Sequence, residues 1–153
     1  MKRILICIGF LFCVFMAPFC AEGAEAISGA SFNEVMGKDW ILEEFKSGSV
    51  IISIDRTKSN DTNIYSLRFD AQRLNGIGAP NRYSAPYTTE EGNILSIGMI
   101  ASTRMGSIFE NDNLKEHDFF GYLRKTYRWD LQNGKLKLYT YGEPGIDVVL
   151  TFN

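Results

Sequence analysis

"GIGAPNRYSAPY" fills residues 76–87. Two glycines, two prolines and the triplet Asn81-Arg82-Tyr83 sit between runs that alternate apolar and polar residues. Glycine supplies backbone angles that other residues resist, proline fixes the path, and an Asn side chain bonds its own turn. The stretch therefore reads as a conformational device between two strands. What surrounds it sets the fold class.

Strand patterns dominate the surroundings. "YSLRF" (65–69) alternates Tyr65, Leu67 and Phe69 with Ser66 and Arg68. "VIISI" (50–54) places Val50, Ile52 and Ile54 on one side, "KLKLYTY" (135–141) alternates lysine with leucine, and "DVVLTF" (147–152) sets Val148, Leu150 and Phe152 against Asp147 and Thr151. A period of two means strands with one buried face. Asn133-Gly134 marks a tight hairpin, and Glu91-Gly92 marks another turn. One segment breaks the rhythm. Over residues 111–126, Phe119, Phe120, Leu123 and Tyr127 share a helical face, with Asp112 or Asn113 available as the cap. Several strands, one helix and three more strands predict an all-β (β-rich α+β) antiparallel barrel-like fold. The helix is expected to pack on the barrel or plug one end.

The chain start carries an address. Lys2 and Arg3 precede an apolar run over residues 4–19, interrupted by Gly9 and Pro18, and then "CAEGAEA". This is the layout of a secretory signal, and the run falls short of the roughly 20 residues a spanning helix needs. Cleavage is expected after Ala26, giving a signal peptide over 1–26, an N-terminal lead over 27–37 and a domain over 38–153. The expected destination is the periplasm. Acylation at Cys20 is the alternative, opposed by the bulky Phe19 before it. All 3 cysteines precede the cleavage point, so the mature chain is expected to form no disulfide and to fold by burial alone. A net charge of −2 without a basic face argues against nucleic acid as a partner. Nothing in the pattern asks for a second copy, and a monomer is expected.

With these elements placed, the chain resembles the META domain family, the exported HslJ-like proteins. That family carries a pattern close to G-x-G-G-C-N-R-Y-x-G-x-Y after a strand, then S-T-R-M-A-C, then a helix with E-x-x-F-L-x-x-L. Gly76, Gly78, Asn81, Arg82, Tyr83 and Tyr87 match the first, and Ser102, Thr103, Arg104 and Met105 the second. Glu116, Phe119 and Leu123 match the helix, and Trp40 with Leu42 resembles the family's W-x-L strand. The likeness covers residues 38–152. Pro80 and Ser107 stand where the family's two cysteines fall, so the disulfide that the resemblance implies for those relatives is absent here. The resemblance implies a non-enzymatic envelope or stress-associated role. A binding module is the alternative, holding a lipid or a segment of a secreted protein in the barrel; a hydrolase with an unfamiliar site is less favoured.

Chemistry-bearing residues are few. Asn81, Arg82, Tyr83 and Arg104 are the candidates for contact with a ligand or partner. The competing reading gives each of them a structural or solvent-facing place. In it Asn81 caps the turn, Tyr83 faces inward, Arg82 is solvated and Arg104 pairs with Glu116. Gly76, Gly78, Trp40, Glu116, Phe119 and Leu123 are expected to be structural. His117, the 1 histidine, is expected at the surface. Asn111-Asp112-Asn113 lacks the glycine and glutamate offsets of a calcium loop, and the adjacent pairs Glu43-Glu44 and Glu90-Glu91 suit acid–base work poorly. No nucleophile motif, P-loop or HExxH is present. No catalytic residue, metal or cofactor is expected, and the partner is expected to be an envelope protein or an apolar ligand.

Overall fold

The computed structural model describes residues 29–55, 64–106 and 114–153. The expected signal peptide, Cys20, Ser107 and the helix caps Asp112 and Asn113 lie outside them. Among the described residues, ten strands follow a 3-10 turn (Phe32–Glu34): β1 (Trp40–Ser47), β2 (Val50–Ser53), β3 (Ser66–Phe69), β4 (Arg73–Ile77), β5 (Arg82–Glu90), β6 (Ile94–Ile97), β7 (Ala101–Ser102), β8 (Thr126–Gln132), β9 (Lys135–Tyr141) and β10 (Asp147–Phe152). Helix α1 (Glu116–Arg124) lies between β7 and β8. The strands run β10-β9-β8-β6-β5-β4-β3-β1, and β1 pairs back onto β10. That closes an antiparallel barrel of eight strands, with β2 added beside β1 and β7 beside β5. Closure removes the free edges that an open sheet would leave.

The apolar face expected from the period-two pattern is buried in β3, β9 and β10, while register shifts interrupt the alternation in β1 and β8. Leu67 and Phe69 on β3, Leu136 and Leu138 on β9, and Val148, Leu150 and Phe152 on β10 all point into the core. An eight-stranded barrel has an interior just wide enough for side chains to fill, and these side chains fill it. Two positions depart from the pattern. Tyr65 takes a left-handed backbone angle ahead of β3 (φ 54°), and Val50 is exposed on β2. Strand β2 lies outside the closed ring; its Ile52, opposite Phe45, packs against the core, while Val50 and Ile51 are exposed.

Both barrel ends are stoppered by aromatic rings. Helix α1 closes one, where Phe119 packs edge-on against Tyr65 at 5.3 Å and Phe120 against Tyr83 at 5.1 Å. Phe119 and Leu123 are fully buried. The helix starts at Glu116, later than the sequence pattern suggests, and Tyr127 belongs to β8. At the other end Phe32 touches Phe69, Tyr87 and Trp129, with centroids 5.1 to 5.7 Å away. The segment expected as a lead thus enters the core, through Phe32 and the fully buried Val35. The Trp40 indole ties it down by donating to the Val35 carbonyl at 2.9 Å.

Candidate functional site

The resemblance motifs meet at the helix end of the barrel. Glu116 Oε1 accepts the backbone N–H of Ala79 at 2.6 Å and of Asn81 at 2.8 Å, and Oε2 accepts Asn81 Nδ2 at 2.7 Å. Asn81 Oδ1 in turn accepts the Thr103 hydroxyl at 2.8 Å and the Met105 N–H at 2.7 Å. The Thr103 hydroxyl also receives the Arg82 N–H at 3.2 Å. One carboxylate and one amide therefore join the turn, the segment after β7 and the first turn of α1. Charge-assisted bonds of this kind are about twice as strong as neutral ones.

Close approach explains the two glycines. A Cβ at Gly78 would overlap Glu116 Oε1 and meet Phe120 Cζ at 2.8 Å. A Cβ at Gly76 would overlap the Ser66 carbonyl and lie 2.7 Å from the Tyr83 hydroxyl. That hydroxyl donates to the same Ser66 carbonyl at 2.9 Å. Burial pushes the Tyr83 phenol well above its ordinary range, so it remains a neutral donor. The Ala79–Pro80 peptide bond is cis.

Asn81 and Tyr83 are therefore buried parts of the framework, and Arg82 between them is exposed. Trp40, Phe119 and Leu123 are buried, Gly76 and Gly78 stand at close approaches, and Glu116 is the acceptor for the turn. The expected Arg104–Glu116 pair does not form. Arg104 is exposed and makes no ion pair with a described residue, because the turn amides already occupy the Glu116 carboxylate. A backbone N–H cluster neutralises a carboxylate as an arginine would, and the sequence offered no sign of which would win. His117 is exposed and lies 3.0 Å from Asp118. Glu43 pairs with Lys135. Among the described residues, no three His, Cys, Asp or Glu side chains gather into a metal-binding group.

Arg82 opens onto a depression of about 470 Å³ on the outer barrel face, lined by β1, β3, β4 and β5. Register sets its floor: Ile41 opposes Ser66, Ser66 opposes Ile77, and Ile77 opposes Arg82. The short Ser66 leaves a low point between two isoleucines. One wall is a polar chain in which Arg68 Nε donates to Asp70 at 3.1 Å, Asn75 donates to Asp70 at 2.9 Å, and Arg68 reaches Asp39 at 3.5 Å. The Arg68 bond, then the Asn75 bond, hold the Asp70 carboxyl below the usual carboxylate range. Two carboxylates thus offset Arg68. Arg82 has no carboxylate partner among the described residues.

Comparisons with known proteins bear on the family and the fold. A family model described as META domain matches residues 33–151. The chain belongs to the META domain family. Its fold is also similar to that of a protein from Burkholderia xenovorans solved by NMR. That likeness has 19% identity, covers 87% of this chain and 93% of that one, and has a TM-score of 0.63. At that identity it speaks for the fold alone. No curated protein matches the chain. The node built by Asn81, Thr103 and Glu116 is thus how this META domain locks its barrel to its helix.

Proposed function

We propose that this META domain is an exported, non-enzymatic domain of the cell envelope that acts by binding a partner through the outer groove beside Arg82. The supporting observation is how the chain deploys its polar groups. Asn81, Thr103 and Glu116 satisfy one another, the barrel interior is filled by side chains, and Arg82 remains open in a concave face with an apolar floor. That arrangement favours an apolar segment bearing an anionic group, lying on the barrel rather than inside it. An envelope protein segment and a lipid both have this chemistry. Export through the segment over 1–26 and a stress-associated role are the parts of the proposal that rest on the sequence reading.

A photo-cross-linking residue in place of Arg82 or Ile77, compared with one at the exposed Ser96 of β6, tests it in native cells. Cross-linked partners specific to the groove, recovered from the envelope fraction on a protein that has lost residues 1–26, are expected. Equal labelling from all three positions, or retention of the protein in the cytoplasm, would overturn it.

A further inference from the structure

The barrel carries a second unassigned surface, on β1, β8, β9 and β10. It begins with an irregularity in β8. Thr126 opposes Thr140 and Arg128 opposes Tyr139, so Tyr127 is the extra residue of a β-bulge. A bulge re-aims side chains, and here two consecutive ones, Tyr127 and Arg128, face outward. Tyr127 stacks on Tyr141 with centroids 4.5 Å apart and planes 25° apart. Tyr141 nevertheless remains 60% exposed, so the ring face turned away from Tyr127 is open. The guanidinium of Arg128 lies 3.7 Å from the centre of the Tyr139 ring. Two depressions, of about 430 and 360 Å³, meet at Gly145, Ile146 and Asp147. The second also takes in Lys46, Tyr127 and Arg128.

We infer that this surface is a saccharide-binding platform, with the open face of Tyr141 as its stacking plane. A hexopyranose ring offers an apolar C–H face and a rim of hydroxyls. The platform offers the complement, an aromatic plane bordered by acceptors and donors. Asp147 accepts, and it lies in the same depression as Tyr127, Lys46 and Arg128, which donate. Mixed charge over one short stretch suits hydroxyls. A polyphosphate chain would need several cations without a carboxylate among them. Polar groups placed around an apolar surface are the general form of a small-ligand site. The inference is independent of the Arg82 groove, which opens on a different face of the barrel.

Titration of the full-length protein by calorimetry and amide NMR, with maltotetraose and with the β1,4-linked tetramer of N-acetylglucosamine, tests it. Saturable binding of at least one tetramer is expected, with shifts centred on Tyr127, Tyr141 and Asp147. Tyr141→Ala should weaken it about tenfold or more, the loss expected when one stacking ring is removed. Tyr141→Phe should keep most of the affinity, and Arg82→Ala should leave it unchanged. Because Tyr141 is a surface residue, an unchanged melting temperature for both Tyr141 variants separates lost binding from lost folding. Absence of saturable binding by either tetramer overturns the proposal. So does Tyr141-dependent sedimentation with phosphatidylglycerol vesicles in the absence of sugar binding, which would assign Tyr141, Ile146 and Val50 to a lipid surface.

Discussion

The carboxylate of Glu116 receives the backbone N–H of Asn81 at 2.8 Å across 35 residues of chain, and it receives two more donors from the same turn. A single side chain at the helix start thus holds the cis-proline turn against the barrel end. Glu116→Ala would leave three donors without their acceptor. A stranded, partly buried donor costs about 1–3 kcal/mol, and water offsets part of that at this half-exposed site. We expect Glu116→Ala to lower unfolding free energy by about 2–4 kcal/mol in urea titrations. Glu116→Gln, which keeps one acceptor oxygen but sets an amide against Asn81 Nδ2, should fall between Ala and the parent. A Gln variant as stable as the parent would show that the charge and the second oxygen contribute nothing.

Arg104 gives the opposite expectation. Exposed and without an ion-pair partner among the described residues, it stabilises nothing visible. Arg104→Met should change stability by no more than about 0.5 kcal/mol, the usual range for surface positions. A loss comparable to that of Glu116→Ala would mean the two side chains are coupled after all.

These two residues also mark what could be read from the sequence. The strands and helix were legible because a barrel imposes period two, and the helix that caps it imposes period 3.6. Glu116 and Asn81 were legible as members of motifs. Their partnership was not, since a carboxylate can be satisfied by an arginine or by backbone amides, and amides leave no trace in the residue pattern. The Tyr127–Tyr141 stack was half legible. The alternation of "KLKLYTY" puts Tyr139 and Tyr141 on the lysine face, which is the outer one. The bulge that swings Tyr127 beside Tyr141 depends on strand register. Phe32 was missed because a three-residue turn has no periodicity to detect.

Glycine positions separate close approach from mere flexibility. At Gly76 a methyl group would run into the Ser66 backbone carbonyl, which the β3–β4 ladder fixes in place. Gly76→Ala should therefore cost about 3 kcal/mol or reduce soluble yield, at the upper end of overpacking penalties. Gly121, inside α1, has open space where a Cβ would stand, with nothing within 4 Å, and an ordinary backbone angle. There alanine should stabilise by about 0.5–1 kcal/mol, because glycine is the poorer helix former. Thermal melting of both variants checks the pair. A Gly76→Ala protein as stable as the parent would mean that β3 and β4 lie farther apart than described.

The last expectation concerns acid. Asp70 accepts from Arg68 at 3.1 Å and from Asn75 at 2.9 Å, and these bonds hold its carboxyl below the usual carboxylate range. The folded state therefore binds the Asp70 proton less readily than the unfolded chain does. With the folded value depressed, the contribution is fully present above the unfolded carboxylate value of about 3.9 and is lost as pH falls through the folded value. Asp70→Asn cannot titrate there. The difference in melting temperature between parent and variant should be greatest near neutral pH and should shrink as pH falls below about 4. Sodium chloride should reduce it at neutral pH, because Arg68 and Asp70 are both well exposed to solvent. A difference that stays constant from about pH 6 to about 3 would show that Asp70 acts through shape or neutral hydrogen bonding, and the charge on the groove wall would then have no part in the fold.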